Sequence, residues 1–389
     1  MRTIGVVTVA RSDYGIYVPV LRKIQEDAAL KLKLIVAGMH LSPEFGSTVD
    51  DIGNDGFEIG ARVEMLLSSD TPEGIAKSMG VGTIGFAQAY ASCRPDILVV
   101  LGDRFEMHAA VAATLPFVVP VAHIHGGEST EGLIDEPIRH SITKMSHLHF
   151  ASTQHYANRI IQMGEEPWRV TTSGAPGLDN LYAMDLLPSS EIERLIGMSL
   201  QPAPLLVTYH PVTLEYEETA FHISELLAAL TAANRPVVFT YPNADTQGRS
   251  IIRAIDQYVK NHDHACVAVN LGTRAYFSLM KTAAAMVGNS SSGIIEAASF
   301  QLPVVNIGNR QRGRIHERNV LNVGYERNAI LSGIRQVTTS EFRKSLDHLQ
   351  NPYGDGQSAQ RIVKTLRDVP LDRRLILKRF YDIPIPETA

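Results

Sequence analysis

A serine-rich segment after an apolar run is the strongest candidate for ligand binding in this sequence. The apolar run ends at Val287, residues 288–293 are small and polar, and a helix-compatible segment with an early carboxylate follows. This order predicts a strand, a tight turn and a helix N-terminus, where unpaired N–H groups and the helix dipole favour a diphosphate. Serines that merely cap the helix are the alternative. The side chains concerned are Ser290, Ser291, Ser292 and Glu296.

Acids and histidines follow several other apolar runs, where acid–base catalysis could take place. Asp103 comes directly after one run, and His125 and Glu128 lie in the segment 123–128 after another. Histidines, glycines and a carboxylate at one strand end are hard to explain as packing. The H-x-H spacing also suits a metal, and a helix N-cap is the plain alternative for Asp103. His210 ends a further strand and could act as an acid or base near neutral pH.

Arginines and first-turn acids accompany these loops. Arg11 and Ser12 follow the first apolar run. The arginine could bind a phosphate through two hydrogen bonds, or Ser12 or Asp13 could cap the turn and leave Arg11 in solvent. Asp135 opens a helix, where acids commonly just complement the dipole. Arg139 follows within the same helix and could reach back toward a cleft.

Three further segments carry candidate binding residues. Arg310 lies in the arginine-rich loop 308–314, which is either an anion site or a solvated basic loop. Arg274 and Tyr276 begin the helix before the serine-rich segment and could flank a nucleobase, although core packing of the ring is equally compatible. Asn243 lies in another loop at a strand end.

The hydrophobic pattern predicts a scaffold that brings these strand ends together. Short β-branched runs alternate with longer amphipathic runs, which is typical of βαβ units and parallel sheets. A stretch rich in turn formers, 174–190, separates two such series. We therefore predict an α/β protein with two doubly wound, Rossmann-like domains, 1–180 and 181–369, and a terminal helix at 370–389 that packs back on the first. The predicted strands are 3–9, 32–37, 97–101, 119–124, 147–151, 205–209, 237–241, 266–269, 286–287 and 304–307.

The bulk composition argues against several classes of protein. The 389 residues are enough for two cores, and a net charge of −5 argues against a general nucleic-acid surface. Cys93 and Cys266 match no disulfide or zinc spacing. The N-terminus has no signal-peptide pattern, and no apolar run approaches the roughly 20 residues of a spanning helix. We expect a cytoplasmic protein with no nucleic-acid or membrane partner.

Taken together and in order, these segments resemble the hydrolysing UDP-N-acetylglucosamine 2-epimerases of bacterial sialic-acid and legionaminic-acid pathways. The resemblance runs over nearly the whole chain. The segments that carry it are 10–15, 38–40, 101–106, 123–128, 138–144, 210–213, 243–245, 288–293 and 306–313.

The resemblance implies a fold, a reaction and a form of assembly. The fold is GT-B-like, with the nucleotide sugar in the cleft between two Rossmann-like domains, and the enzyme needs no cofactor and no metal. The reaction converts UDP-GlcNAc and water to N-acetylmannosamine (ManNAc) and UDP, through elimination to 2-acetamidoglucal and rehydration. The same reaction on UDP- or GDP-linked N,N′-diacetylbacillosamine is one alternative, and a GT-B glycosyltransferase is another. The family also implies a homodimer or homotetramer.

The resemblance also implies residue roles by matching position. Asp103 and His210 are the first expected acid–base groups. Related enzymes carry Glu where this chain has His125, so the C2 base is expected to be His125, Asp103 or Glu128. The diphosphate would be held by Arg11, Ser290, Ser291 and Arg310, the ribose by Glu296, and the sugar surrounded by Asp103, Glu128, Asp135, Arg139 and His210. Further substrate contacts are expected from Ser12, Arg104, Asn243, Arg274 and Ser292.

Overall fold

Two compact units, each built around one parallel sheet, make up the chain. The computed structural model describes residues 1–42, 48–67, 71–131, 134–242, 248–268 and 271–383, with the backbone alone for 213, 214 and 249. The predicted α/β class with two Rossmann-like domains is confirmed. Unit 1 comprises Met1–Glu128, Ile134–Tyr182 and Tyr353–Ala389, and unit 2 comprises Ser129–Leu133 and Ala183–Pro352.

Strands and helices alternate along most of the chain. The strands are β1 (Arg2–Thr8), β2 (Leu30–Ala37), β3 (Ile59–Val63), β4 (Ile97–Leu101), β5 (Val121–Ile124), β6 (Leu148–Ala151), β7 (Val170–Thr172), β8 (Leu205–Thr208), β9 (Val237–Thr240), β10 (Ala265–Val267), β11 (Ala285–Gly288), β12 (Val304–Ile307) and β13 (Val320–Val323). The helices are α1 (Arg11–Glu26), α2 (Val49–Asn54), α3 (Pro72–Ser92), α4 (Phe105–Thr114), α5 (Asp135–Met145), α6 (Gln154–Gln162), α7 (Pro176–Ala183), α8 (Ser189–Ile196), α9 (Thr219–Ala233), α10 (Gly248–Lys260), α11 (Gly272–Thr282), α12 (Ser292–Ile295), α13 (Arg327–Val337), α14 (Ser340–Ser345), α15 (Ser358–Asp368) and α16 (Arg373–Ile376).

The two sheets share a doubly wound topology. Unit 1 has the strand order β3-β2-β1-β4-β5-β6-β7, and unit 2 has the order β10-β9-β8-β11-β12-β13. All pairs are parallel, and the central strands are runs of Val, Ile and Leu because helices cover both faces. The sequence-predicted strands are present, whereas β3, β7 and β13 were not predicted. These three lie at or near sheet edges, where the apolar runs are shorter or interrupted by polar residues.

Each sheet has one switch point, where the chain turns to the other side of its first strand. In unit 1 the switch lies between β1 and β4, and in unit 2 it lies between β8 and β11. The loops that leave the carboxyl ends of two such strands diverge, and ligands of open α/β sheets bind in the crevice between them. The loops at the two switch points begin near residues 9 and 102 in unit 1, and 209 and 289 in unit 2.

The structure differs from the predicted domain boundaries at residues 353–369. These residues belong to unit 1 and not to the second domain. Helix α15 contributes Ile362 and Leu366, both fully buried, to the core of unit 1. Residues 129–133 belong to unit 2, where Glu131 pairs with Arg312 at 3.4 Å. Long-range packing of this kind leaves no mark in a local hydrophobic pattern.

The terminal segment packs on unit 1 mainly as irregular chain. Within the described part, only α16 of the predicted helix 370–389 is helical. The guanidinium of Arg169 is 1% exposed and donates to the carbonyls of Arg374 at 2.8 Å and Leu375 at 2.9 Å. A buried cation that binds carbonyls holds the chain without a regular helix. No helix among the described residues is long and apolar enough to cross a membrane.

Candidate active site

Arg139 connects the loops that follow β4 and β5 in unit 1. Its side chain is 1% exposed and forms an ion pair with Asp103. Nη1 donates to the Glu128 carbonyl at 3.0 Å and to Glu136 Oε2 at 2.7 Å. Burial alone would lower the pKa of Arg139, but Asp103 and the neighbouring glutamates raise it overall, so the arginine stays cationic. We name Asp103, His125, Glu128 and Arg139 the acid–histidine cluster.

His125 and Glu128 form a nearly buried pair directly after β5. His125 Nδ1 lies 2.5 Å from Glu128 Oε1, and the same oxygen accepts from Ser152 Oγ at 2.6 Å. Since a carboxylate oxygen only accepts, the proton lies on Nδ1 and Nε2 keeps its lone pair. The φ of His125 is 63°, a left-handed conformation that is uncommon outside glycine and clusters at functional sites.

His123 has a structural position beneath this pair. Its ring is fully buried, and Nε2 donates to the Gly102 carbonyl at 2.8 Å. Burial lowers the pKa of His123 to about 3, so the ring is neutral. Within the described ranges, no group of three or more His, Cys, Asp or Glu side chains could hold a metal ion.

The starts of α4 and α5 carry three predicted residues. Arg104, not Asp103, occupies the N-cap of α4, so the capping alternative for Asp103 is wrong. Arg104 binds the buried Glu106 through Nε at 3.2 Å and Nη2 at 3.1 Å. Asp135 is the first residue of α5, is half-buried and lies near enough to interact with Arg104 electrostatically. Asp135 therefore lies beside the acid–histidine cluster.

Helix α1 begins with two exposed predicted residues, Arg11 and Ser12. Asp13, not Ser12, binds the backbone N–H groups just before the helix. Its carboxylate accepts from Val9 at 2.8 Å and from Ala10 at 2.7 Å. Burial raises the pKa of Asp13 to about 6 although these bonds oppose the shift. Arg11 and Ser12 thus lie at the unit 1 switch point.

Asn289 organises the switch point of unit 2. It is fully buried, its Oδ1 accepts from the His210 N–H at 2.7 Å, and its Nδ2 donates to the His210 carbonyl at 2.8 Å. The Asn289 carbonyl accepts from Arg310 Nη1 at 3.2 Å and from Gln311 Nε2 at 2.9 Å. One residue therefore joins three loops at the carboxyl edge of the sheet. We name His210, Asn289, Arg310 and the serines 290–292 the serine–arginine cluster.

Gly288 makes this arrangement possible. Its φ is +140°, and a Cβ there would lie 1.9 Å from the Thr208 carbonyl oxygen. Only glycine lets the ends of β8 and β11 approach so closely. His210 follows β8 and is 6% exposed; burial, assisted by Arg310, lowers its pKa to about 3. His210 is therefore neutral near pH 7 and can donate one hydrogen bond and accept another.

The serine-rich turn differs in part from its prediction. The helix predicted after the serines is short: α12 has only four residues and is followed by a 3-10 turn at Ala297–Phe300. The short helix carries less dipole than a full one. Ser291 is its N-cap but caps no N–H of the described chain through its side chain. Ser290 Oγ, by contrast, accepts from the Ser292 N–H at 3.4 Å, so one long hydrogen bond supports the alternative of serines that cap the helix.

The loop that carries Arg310 is anchored at the preceding residue by an aromatic side chain. Tyr325 donates to Glu215 Oε2, while its hydroxyl accepts from the Asn309 N–H at 3.0 Å. Burial first, and then Glu215, raise the pKa of Tyr325, which stays protonated. The ring stacks on His222 with centroids 3.6 Å apart. The loop next to Arg310 is therefore braced by Tyr325, although Arg312 in the same loop is exposed.

The remaining predicted residues of unit 2 divide into two groups. Tyr276 hydrogen-bonds with Ser292 and interacts with Glu296, so it lies against the serine-rich turn, while Phe277 packs in the core. Arg274 lies elsewhere and donates from Nε to the Asp185 carbonyl at 2.6 Å. Asn243 and the loop 243–247 lie outside the described residues.

Comparison with known proteins finds relatives that match this chain over nearly its whole length. A sequence model of the family "UDP-N-acetylglucosamine 2-epimerase" matches residues 22–367. The GDP/UDP-N,N′-diacetylbacillosamine 2-epimerase (hydrolyzing) of Campylobacter jejuni is 38% identical, covering 98% of this chain and 99% of that protein. The UDP-N,N′-diacetylbacillosamine 2-epimerase (hydrolyzing) of Legionella pneumophila is 35% identical, covering 97% of this chain and 99% of that protein.

The chain belongs to the UDP-N-acetylglucosamine 2-epimerase family. The resemblance seen in the sequence is thereby confirmed. The fold of this epimerase also matches the crystal structure of the Neisseria meningitidis UDP-GlcNAc 2-epimerase bound to UDP-GlcNAc, with a TM-score of 0.80 and 16% identity over 94% of this chain and 99% of that chain. The GT-B-like fold class is thus confirmed.

Two residues of this epimerase were not singled out from the sequence. Ser152 directly follows β6, and Asn289 directly follows β11. Both are polar residues at the end of a buried strand, and this position is the signal for them in the sequence. The signal is weak for Ser152 because a lone serine is common in turns, and Asn289 is adjacent to serines that suit a phosphate.

Proposed function

We propose that this epimerase hydrolyses a nucleotide-linked 2-acetamido sugar with inversion at C2, and that UDP-N,N′-diacetylbacillosamine is its substrate. The observation that carries the reaction is membership of the family. The choice of sugar rests on two full-length relatives, 38% and 35% identical, whose names give the diacetylated sugar. UDP-GlcNAc, the first expectation from the sequence, is the second candidate because the family description names it.

The acid–histidine cluster provides groups for the C2 chemistry. The C2 proton is weakly acidic, so its removal needs a placed base and a stabilised leaving group. Asp103, His125 and Glu128 are the available bases, and Arg139 holds two of them through buried polar contacts. Asp135 and Arg104 lie beside this cluster and would contact the sugar.

The serine–arginine cluster provides groups for the leaving nucleotide. Diphosphate oxygens accept from hydroxyls and guanidinium groups, and charge-assisted bonds of this kind are the strong ones. Arg310, Ser290 and Ser291 would hold the diphosphate, and Glu296 would accept from the ribose. His210 lies in the same cluster and would take part as a neutral hydrogen-bonding group. Arg11 and Ser12, at the start of α1, are kept as candidate phosphate ligands from the sequence.

The deciding experiment is NMR of the purified protein in D2O with each nucleotide sugar in turn. The expected result is free 2-epimerised sugar carrying deuterium at C2, together with UDP, and faster turnover of the diacetylated sugar than of UDP-GlcNAc. GDP-linked N,N′-diacetylbacillosamine is the comparison that tests the preference for the nucleobase. Product that forms only when a sugar acceptor is added would instead identify a glycosyltransferase. Activity that is lost in EDTA would identify a metal-dependent hydrolase.

A further inference from the structure

His125 and Glu128 have the geometry of a base and its orienting partner. The imidazole is held at Nδ1 by Glu128 Oε1 at 2.5 Å, and its side chain is 10% exposed. With Nδ1 donating, Nε2 is the nitrogen with a lone pair. Among the described residues, no hydrogen bond to Nε2 occurs. A histidine oriented at one nitrogen and open at the other is the arrangement of a general base.

Ser152 completes this arrangement from the neighbouring strand. Its hydroxyl is buried and donates to the same oxygen of Glu128 at 2.6 Å. The His125 N–H in turn donates to the Phe150 carbonyl at 3.1 Å, which fixes the backbone in its left-handed conformation. The end of β6 therefore holds both members of the pair. Conformational strain that the surroundings maintain is typical of functional sites.

We propose that His125 Nε2 is the base that removes the sugar C2 proton, and that Glu128 and Ser152 are positioning residues for it. The inference rests on the proposed function. In the step, the Nε2 lone pair takes the C2 proton, and the C2–H electrons form the C1=C2 double bond. The C1–O electrons leave with the β-phosphate oxygen of the nucleotide. The products are an imidazolium, the 2-acetamidoglucal and the nucleotide.

Charged side chains from α5 and α6 bond the backbone of the loop that carries His125. Glu128 faces the ring directly. Arg139 from α5 and Asp103 after β4 form the adjacent pair, and Arg159 from α6 donates to the Gly127 carbonyl at 2.8 Å. The cations are engaged by these carboxylates and carbonyls, so Glu128 is the group that stabilises the imidazolium directly. Removal of the proton from C2 thus leaves its positive charge beside a carboxylate.

The test compares His125→Gln, Glu128→Gln and Ser152→Ala by kcat, KM and UDP affinity from about pH 5 to pH 9. His125→Gln should lower kcat by about a hundredfold or more and leave UDP affinity within about threefold. Glu128→Gln should lower kcat and move the acid limb down by about one pH unit, since an amide stabilises imidazolium less. Ser152→Ala should move that limb upward, because the carboxylate becomes more basic once the hydroxyl is gone.

Ser173 offers a matched control. It follows β7 as Ser152 follows β6, it is fully buried, and its hydroxyl donates to the Gly174 carbonyl at 2.9 Å. Ser173→Ala should leave kcat and the acid limb unchanged. Shifts in the same direction for Glu128→Gln and Ser152→Ala, or no shift in either, would show a merely structural role and overturn the inference.

A second measurement does not depend on turnover. Proton–nitrogen NMR of histidine-labelled protein, assigned by His125→Gln, should show the proton of neutral His125 on Nδ1, and a proton on Nε2 would overturn the pair. Active wild-type protein with an active His125→Gln variant overturns the base assignment and leaves the proposed function standing. Wild-type protein that turns over neither sugar refutes both the proposed function and the base role.

Discussion

Asn289 and His210 bind each other through two reciprocal hydrogen bonds of 2.7 and 2.8 Å. The side-chain amide of one residue satisfies both backbone groups of the other, in a position that is fully buried. Since the Asn289 carbonyl also accepts from Arg310, the proposed phosphate-binding arginine and the histidine are fixed by the same residue. The geometry of the serine–arginine cluster therefore depends on an uncharged side chain.

Replacement of Asn289 by Ala should damage stability and catalysis together. Two buried backbone groups of His210 would lose their partners, at a cost of about 1–3 kcal/mol each in the free energy of unfolding. We expect kcat/KM to fall by about tenfold to a hundredfold. Asn319→Ala is the matched control, because Asn319 is also buried and donates to the Leu302 carbonyl at 3.0 Å, before β13 and away from the carboxyl edge. The control should lose stability and keep kcat/KM; equal loss in both would refute a specific role.

Replacement of Asp103 by Asn should lower kcat by about a hundredfold, as expected for removal of an acid–base or orienting carboxylate. Glu136→Gln is the comparison, because the Glu136 carboxylate also accepts a hydrogen bond from Arg139, at 2.7 Å. Both changes remove a negative charge that pairs with the buried Arg139, so both should lower the free energy of unfolding. Only Asp103→Asn should lower kcat strongly. Similar kcat values for the two variants would show that Asp103 has only a structural role.

Replacement of Arg310 by Ala should weaken UDP binding by about tenfold to a hundredfold, measured by calorimetry, since a charge-assisted bond contributes about 1.5–3 kcal/mol. Arg312→Ala is the control, because Arg312 is 71% exposed and pairs with Glu131. Ser291→Ala should weaken UDP binding by a smaller factor than Arg310→Ala, because a neutral hydroxyl bond is weaker. Equal affinities in the arginine variants would contradict the phosphate role of Arg310.

His210 should remain neutral throughout the working pH range, because burial lowers its pKa from 6.5 to about 3. The unfolded chain takes up a proton below pH 6.5 that the folded chain refuses until about pH 3, so this residue makes stability fall as the pH drops through that window. His210→Gln should flatten the stability curve there by about 1.4 kcal/mol per pH unit. Denaturant unfolding at several pH values measures the slope, and an unchanged slope would show that His210 titrates normally.

The strand-end loops could be identified from the sequence because buried parallel strands are nearly pure apolar runs. A polar residue such as Asp103 after the fully buried β4 marks where a strand ends. His210 after β8 was identified in the same way. The edge strands β3 and β13 were missed, because exposure of one side relaxes the apolar pattern.

The partners of those residues could not be identified in this way. Arg139 pairs with Asp103, which lies 36 positions earlier in the chain, and Ser152 bonds Glu128 from a neighbouring strand. Such pairs depend on strand order and register, which no local pattern encodes. The same reason accounts for residues 353–369, whose apolar face could have packed on either sheet.

Residue chemistry, strand-end position, the α/β class and the family were all present in the linear order of the chain, because periodicity and motif spacing are local properties. The Nδ1 contact of His125, the neutral state of His210 and the joining of loops by Asn289 arose only on folding. These depend on burial and on distances of about 3 Å between residues far apart in sequence. Residue types thus restricted the chemistry to acids, histidines and arginines, and packing assigned each its partner and its protonation state.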